Sequence, residues 1–461
     1  MQNRLLKLLF VNVVNDPETT LEDYPIGLYY ILSNIKKNFP EKVECRFIYK
    51  NYYQELEYYN PDIVLLSSMS CSYTMARRYA EKAKNKNKPV VIGGCHITTL
   101  PISFSKYFDI GVIGEAEYII IELIKNYCRN NFKFNYSQLE KVKSLVFRKD
   151  NKLFFTSPAN EIENLDKLPL PDRSPIIGTN LRPFIFTSRG CPYKCSYCAA
   201  TTLRKKIGYH SSEYVLDDIK QVLKSNNTNH IILYDDLFTI NKKRVETMIK
   251  ALEKNSLLGK LSFTIQTRAN LVDKELVTLL NRMGVKYASM GLDSGNQEIL
   301  NYLKGKNITV EDNYRAVSLL KGKRILTYSS FIIGSPRETE SQIMDTYKFI
   351  LRSGITLFDV LLLTPLPGTP IWTEALKKGL VNENEDFDWG SINYQRPHTL
   401  KNPIILSETM TMERLFKYLK KFQYLKLKIG YRFLRTKYRW QYLKEKNIFS
   451  IAKQLIKPAS H

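Results

Sequence analysis

The sequence predicts an α/β protein made of two successive parallel-sheet units and a basic helical tail. Three observations carry this. Short aliphatic runs alternate with helical stretches from the N-terminus to about residue 130, and again from Pro183 to about residue 370. A Pro-rich strap, Leu168-Pro169-Leu170-Pro171-Asp172-Arg173, lies between the two regions and favours extended backbone. Beyond residue 410, apolar residues recur at helical spacing in a basic background. The expected organisation is a doubly wound, Rossmann-like sheet over 1–135, a connector over 136–180, a partial (βα)6 barrel over 181–390 and a helical C-terminal region over 391–461.

In the first region, residues 4–14 read as a buried parallel strand. Pro25-Ile26-Gly27-Leu28 opens a helix. Val43 to Tyr49, Pro61 to Met69, Pro89 to Ile92 and Asp109 to Gly114 supply four more strands, with helices from about Tyr73 to Lys84 and up to about Cys128. Ligands of such sheets bind outside the carboxyl ends of the strands. Those ends carry the small residues Ser67, Ser68, Gly93, Gly94 and Gly114, and glycine lets a ligand approach the backbone closely. A hairpin is expected in the connector, from Ser144 to Arg148 and Lys152 to Thr156. In the second region six strands are expected: Phe184–Thr187, Ile231–Asp235, Leu261–Gln266, Lys286–Leu292, Leu326–Ile333 and Phe358–Leu363. A partial barrel keeps its active site at the strand C-termini.

Composition narrows the class. A hydrophobic content of 44% over 461 residues can fill more than one core. No run of 18 apolar residues occurs, so no transmembrane helix is expected. The N-terminus runs straight into a strand pattern, so no signal peptide is expected. Of seven cysteines, Cys45, Cys71, Cys95 and Cys128 stand singly, which does not suit a disulfide framework and points to the reducing cytoplasm. The net charge is +24, and half of that excess lies in residues 411–461, which hold fourteen Lys/Arg against two Asp/Glu. Such asymmetry suits an anionic partner.

The remaining cysteines are grouped. Cys191, Cys195 and Cys198 follow the first barrel strand at spacing Cys-x3-Cys-x2-Cys. Three thiolates on one loop suit an iron–sulfur cluster that leaves one iron open for a small molecule. A zinc knuckle would need a fourth Cys or His at finger spacing, and the nearest, His210, is twelve residues on. The spacing, with Tyr197 before the last cysteine, resembles the radical S-adenosylmethionine (AdoMet) superfamily. There a 4Fe–4S cluster binds AdoMet at its open iron and cleaves it to a 5′-deoxyadenosyl radical.

The resemblance extends further. Pro-x-Gly-Leu, Pro-Asp-x-Val…Ser-Ser, Gly-Gly-x-His-x-Thr and Gly-Glu-x-Glu, in that order over residues 5–130, resemble the cobalamin-binding domain of one radical SAM branch. The Asp-x-His-x-x-Gly motif whose histidine would ligate cobalt is absent, and His96 is not assigned that role. In the barrel, Tyr234-Asp235-Asp236, Gln266-Thr267-Arg268, Gly291-Leu292-Asp293-Ser294-Gly295, Ile333-Gly334-Ser335-Pro336-Arg337-Glu338 and Thr364-Pro365-Leu366-Pro367-Gly368 follow the order of the same branch. The resemblance implies that Asp293, Ser294 and Arg268 face the ribose and methionine parts of AdoMet, and that Tyr197 and Gly334 flank adenine. Asp293 stands where the family more often has Glu. Asp235-Asp236 either positions AdoMet or substrate, or caps the following helix. Ser67, Gly93, Gly94 and Gly114 would line the cobalamin crevice.

The function this implies is a cobalamin-dependent radical SAM enzyme that methylates an unactivated carbon of a small-molecule or lipid-like substrate, with flavodoxin or ferredoxin as electron donor. A ring-forming or oxidative cyclase has the same layout. A methylthiotransferase acting on RNA or protein would need a second cluster, for which Cys45, Cys71 and Cys95 are three in number, although Cys45 falls inside a strand. A non-catalytic, membrane-associated binding protein is the non-enzymatic alternative. Residues 381–410 are less regular, a place where substrate contacts often arise. In the tail, Leu415, Tyr418, Leu419, Phe422 and Leu425 recur at helical spacing among Lys and Arg. Such a helix suits docking on the barrel, an anionic membrane surface or, less well, nucleic acid. The expectation is a helix over 411–445 whose apolar stripe touches anionic lipid, peripheral to the inner face of the membrane.

Overall fold

The computed structural model describes residues 4–14, 25–48, 51–176, 184–226, 228–392 and 403–434. The first unit contains β1 (Leu6–Asn12), α1 (Ile26–Asn38), β2 (Val43–Ile48), α2 (Tyr52–Tyr59), β3 (Ile63–Ser67), α3 (Tyr73–Lys84), β4 (Val90–Gly93), α4 (Cys95–Thr99), β5 (Ile110–Val112), α5 (Ile119–Arg129), α6 (Tyr136–Leu139), β6 (Leu145–Lys149) and β7 (Lys152–Phe155). Its sheet has the order β2-β1-β3-β4-β5-β6-β7. The first five strands are parallel, and β6 and β7 add antiparallel pairs at one edge. The hairpin expected in the connector is therefore part of the N-terminal sheet. Helix α2 was not expected, because its Tyr- and Glu-rich stretch has no long apolar period.

Side chains on alternate positions of a strand point to opposite faces, and this sheet buries both. Leu6, Leu8 and Phe10 of β1 meet α1 and α5 on one side. Leu9 and Val11 face α2 and α3 on the other. The second core does not stop at the sheet: it continues into Ile299, Leu303, Ile332, Trp372 and Trp389 of the C-terminal half. The two units share one apolar seam, which fixes the crevice of the first against the mouth of the second.

The second unit follows with β8 (Phe184–Ile185), β9 (Ser188–Arg189), α7 (Ala200–Leu203), β10 (Gly208–Tyr209), α8 (Ser212–Ser225), β11 (His230–Leu233), α9 (Lys242–Lys254), β12 (Ser262–Thr267), α10 (Lys274–Met283), β13 (Val285–Asp293), α11 (Gln297–Lys304), α12 (Val310–Gly322), β14 (Leu326–Ile333), α13 (Glu340–Ser353), β15 (Leu357–Leu362) and α14 (Pro370–Lys377). Six strands form one parallel sheet in the order β15-β14-β13-β12-β11-β8, the open barrel expected. Helix starts follow local chemistry: Thr309 with Asp312 and Thr339 with Gln342 form capping boxes that satisfy otherwise orphaned N–H groups.

Helix α15 (Met412–Leu434) closes the described fold. Its apolar stripe, Leu415, Leu419, Phe422 and Leu425, is buried in the barrel core. Arg414 and Tyr418 bond Glu340 of α13, and Lys426 pairs with Asp359 of β15. The stripe expected to meet lipid is thus a docking face, because an unprotected edge strand and a helix layer need the same cover. The part of the expected helix beyond residue 434, and residues 393–402 of the irregular segment 381–410, lie outside the described residues. Among the described residues no helix is long and apolar enough to cross a membrane.

Trp389, in the irregular segment 381–410, is fully buried. Its ring meets His96 at 4.3 Å, Phe387 at 4.9 Å and Trp372 at 5.8 Å, centroid to centroid. It is the aromatic plug of the seam. Trp389→Ala is expected to destabilise the protein by about 3–5 kcal/mol, read from chemical denaturation.

Candidate active site

The cysteine loop is anchored before it begins. Asp235, at the end of β11 and buried, accepts from the N–H groups of Thr187 (2.6 Å) and Ser188 (3.0 Å), from the Ser188 hydroxyl (2.7 Å) and from the Thr187 hydroxyl. Asp236 accepts from the Gly190 N–H at 2.9 Å. Burial pushes both carboxyls up, and these donors oppose it. The adjacent acids therefore hold the loop's backbone. Within the loop, the Cys198 N–H donates to the Cys195 carbonyl at 3.1 Å, and the Ser196 N–H donates to the Leu303 carbonyl of α11 at 2.9 Å.

Cys195 is buried, and Cys191 and Cys198 are half-buried. Burial, with Asp236 and the neighbouring thiols, pushes the Cys198 thiol up to about 11, and burial likewise raises Cys191. A group that takes these sulfurs as thiolates must bring positive charge, which the irons of a cluster do. Among the described residues, no three Cys, His, Asp or Glu converge as a chelate for a single ion. A cluster offers each thiolate its own iron and needs no such convergence. His210 is turned away: its Nδ1 meets Asp166 at 3.1 Å and its ring stacks on Tyr214 at 4.0 Å.

Arg268, at the end of β12 and buried, reaches the loop. Its Nη1 donates to Cys195 Sγ at 3.3 Å, its Nη2 donates to the Lys304 carbonyl at 3.3 Å, and the guanidinium lies over the Tyr193 ring at 4.1 Å. Its Nε has no partner. A buried guanidinium with a donor to spare beside thiols fits an anionic group bound there.

Asp293 sits at the end of β13 in the left-handed region, φ 60°, where the pairing with β14 slips by one residue. Its buried carboxylate accepts from the Tyr197 hydroxyl at 2.7 Å and pairs with Lys304 Nζ at 3.1 Å. Tyr197, Asp293, Lys304 and Arg268 thus form one connected wall beside the cysteines. Lys304, eleven residues on from Asp293, carries no local sequence sign of this contact. The Ser294 hydroxyl is turned from this wall: it meets Thr346 Oγ1 at 3.2 Å and accepts from the Asn296 N–H at 3.1 Å.

Gly334 follows β14 with φ 86°, and a side chain there would point at Leu415 of α15. Its N–H donates to Glu338 at 2.7 Å, as does that of Ser335 at 3.2 Å. Glu338 is fully buried, and its Oε1 has no partner. It lies in a motif noted from sequence, but no role was read for it.

In the first unit, a side chain on Gly93 or Gly114 would meet nothing within 4 Å, whereas one on Gly94 would run into the Ser68 backbone at 2.7 Å. Open space therefore flanks Gly93 and Gly114, while Gly94 serves the close approach of its loop to Ser67-Ser68. His96 is buried with both ring nitrogens engaged, Nδ1 to Ser70 at 3.0 Å and Nε2 to Ser103 at 2.9 Å. Burial holds it neutral, down to about 3, so it is a core residue.

The two halves of the site are tied by charge. Arg189, leading into the cysteine loop, pairs with Glu117 at 2.7 Å and Glu115 at 3.0 Å, and Glu115 also holds Arg204. The Gly-Glu-x-Glu motif thus reaches across to the cysteine loop.

Residues 185–350 match the Radical SAM superfamily. The chain carries a radical SAM domain. The relatives it resembles are methyltransferases and cyclases. An uncharacterized methyltransferase of Pyrococcus horikoshii is 26% identical over 413 residues, 86% of each chain. An anaerobic magnesium-protoporphyrin IX monomethyl ester cyclase of Cereibacter sphaeroides is 27% identical over 390 residues, 80% of this chain and 61% of the cyclase. The solved structure of the radical S-adenosylmethionine methyltransferase TsrM from Kitasatospora setae, with cobalamin and a 4Fe–4S cluster bound, superposes with a TM-score of 0.69 at 19% identity, over 91% of this chain and 85% of that one. The fold it shares spans both units.

Burial lifts the Glu338 carboxyl from an ordinary 4.5 to about 7. The folded state then binds the proton more tightly than the unfolded chain, so this contribution is fully present below pH 4.5 and lost as pH rises through about 7. The loss amounts to about 3 kcal/mol. Glu338→Gln should flatten that part of the stability profile, measured by denaturation across the same pH range.

Proposed function

We propose that this radical SAM enzyme binds a 4Fe–4S cluster on Cys191, Cys195 and Cys198, AdoMet beside it and cobalamin in the N-terminal crevice, and that it methylates an unactivated carbon. The observation that carries the reading is the cysteine loop with Arg268 on Cys195, joined through Arg189 to the strand ends that hold Gly93 and Gly114. When bound, the cluster supplies the electron that cleaves AdoMet, and cobalamin supplies the transferred methyl group.

The chain's own residues do the rest. Asp235 and Asp236 hold the backbone leading into the loop, so the sulfurs keep their places when a ligand arrives. Arg268 has an unpaired Nε to offer the carboxylate of AdoMet. Asp293 can take ribose hydroxyls only by sharing or releasing Tyr197 and Lys304, which neutralise it until then. Tyr197 and the Gly334 backbone border the place of adenine. The apolar seam excludes water where the two units meet.

The similarity to a cyclase supports a second reading, ring formation on a comparable substrate. Anaerobic reaction with AdoMet labelled at the methyl carbon separates them. Label in the substrate product is expected. A product with a new ring and no label favours the cyclase. Cys198→Ala should abolish AdoMet cleavage, and a variant that keeps both its iron and its activity would remove the cluster assignment. Gly93→Trp should lose cobalamin, followed by its visible absorbance on the purified protein, with circular dichroism checking that the fold survives; a Cβ at this position meets nothing within 4 Å.

A further inference from the structure

Helix α15 spends its apolar stripe on the barrel, yet its opposite side is not an ordinary solvated face. Tyr424 is 70% exposed, Tyr431 61% and Leu427 46%. They stand at i, i+3 and i+7, on one side of the helix. Lys417, Lys420 and Lys428 flank them and are exposed. The stripe from residue 417 to 431 is about 20 Å long at the helical rise per residue. Three large apolar or aromatic side chains in one exposed row are more than scattered surface residues.

We propose that this outer face of α15 is a peripheral docking surface for an anionic lipid bilayer. Charge complementarity selects the partner. Arg414 is paired with Glu340, so the exposed cations beside the row are lysines, compact charges that suit a diffuse negative surface and lack the planar fork with which arginine reads phosphate or base edges. Tyrosine and leucine between them match the interfacial zone of a membrane, where a ring buries its body and keeps its hydroxyl in water. The chain that follows continues the pattern: residues 435–461 hold seven Lys/Arg, one Glu, Tyr438, Trp440, Tyr442 and Phe449. The contact leaves the docking stripe in place, since the two faces are opposite. It is independent of the chemistry at the cysteines.

The experiment is co-sedimentation of the full chain with vesicles of phosphatidylglycerol and phosphatidylcholine, and with phosphatidylcholine alone, at low and high salt. Binding to the anionic vesicles, weakened by salt, is expected. Lys417→Glu/Lys420→Glu/Lys428→Glu should weaken it by about fivefold or more for each lysine. Tyr424→Ser/Leu427→Ser should weaken it at both salt concentrations. The thermal midpoint of each variant, unchanged from the parent, shows that the docked helix survives. Equal partition to both vesicle types overturns the proposal. So does binding that disappears on removal of residues 435–461 yet is untouched by the helix substitutions, or salt-sensitive binding to duplex DNA or RNA with none to vesicles.

Discussion

Arg189 is the residue on which the two halves of this protein depend. It stands one residue before the glycine that opens the cysteine loop, and its guanidinium is held by Glu117 and Glu115 from the end of β5. Those carboxylates sit at the strand ends of one sheet, and the loop they hold begins the second. Because the pairs are shielded from water, losing a partner would strand a charge at a cost of about 3–5 kcal/mol. The arrangement therefore tolerates little relative movement. A crevice and a cysteine loop on separate sheets can work on one substrate only if their distance is fixed.

The apolar seam does the same work without direction. The aromatic plug around Trp389 and the aliphatic residues of α11 and α14 are buried against the N-terminal sheet. Apolar contact is strong but permits sliding, whereas charge pairs and hydrogen bonds define an angle. Seam and ion pairs together hold the crevice over the barrel mouth. Helix α15 extends this logic to the free edge of the barrel, where Leu415 lies against Gly334 and Thr409 bonds the Glu338 carbonyl. The loop from Gly334 to Glu338 is thus backed by the C-terminal helix.

Charge within the site follows one rule. Asp235 is surrounded by donors and Asp293 by Lys304 and Tyr197, so each buried carboxylate that shapes the wall has partners. Glu338 has two backbone donors and one orphaned oxygen, and its proton affinity rises accordingly. Arg268 keeps one unpaired N–H beside Cys195. Open valences of this kind are costly in a core and useful where a ligand completes them.

The sequence by itself determined both sheets, the cysteine trio and the order of the strand-end motifs, because strand and helix periods, glycine and cysteine spacing are local properties of a chain. Six barrel strands and five of the first sheet lie where alternation placed them. What it could not determine was which partner each side chain meets. Gly94 approaches the Ser68 backbone of its own sheet, and the Gly-Glu-x-Glu acids, legible only as a motif, reach the other unit. Lys304 and Glu338 carry no local sign of their roles, since Asp293 is eleven residues from the first and the burial of the second depends on the packed tail. The apolar stripe of α15 was legible as amphipathic, but periodicity names a buried face without naming what buries it. Only the tertiary structure decided that, because the free edge of the barrel lay closer to hand than any membrane.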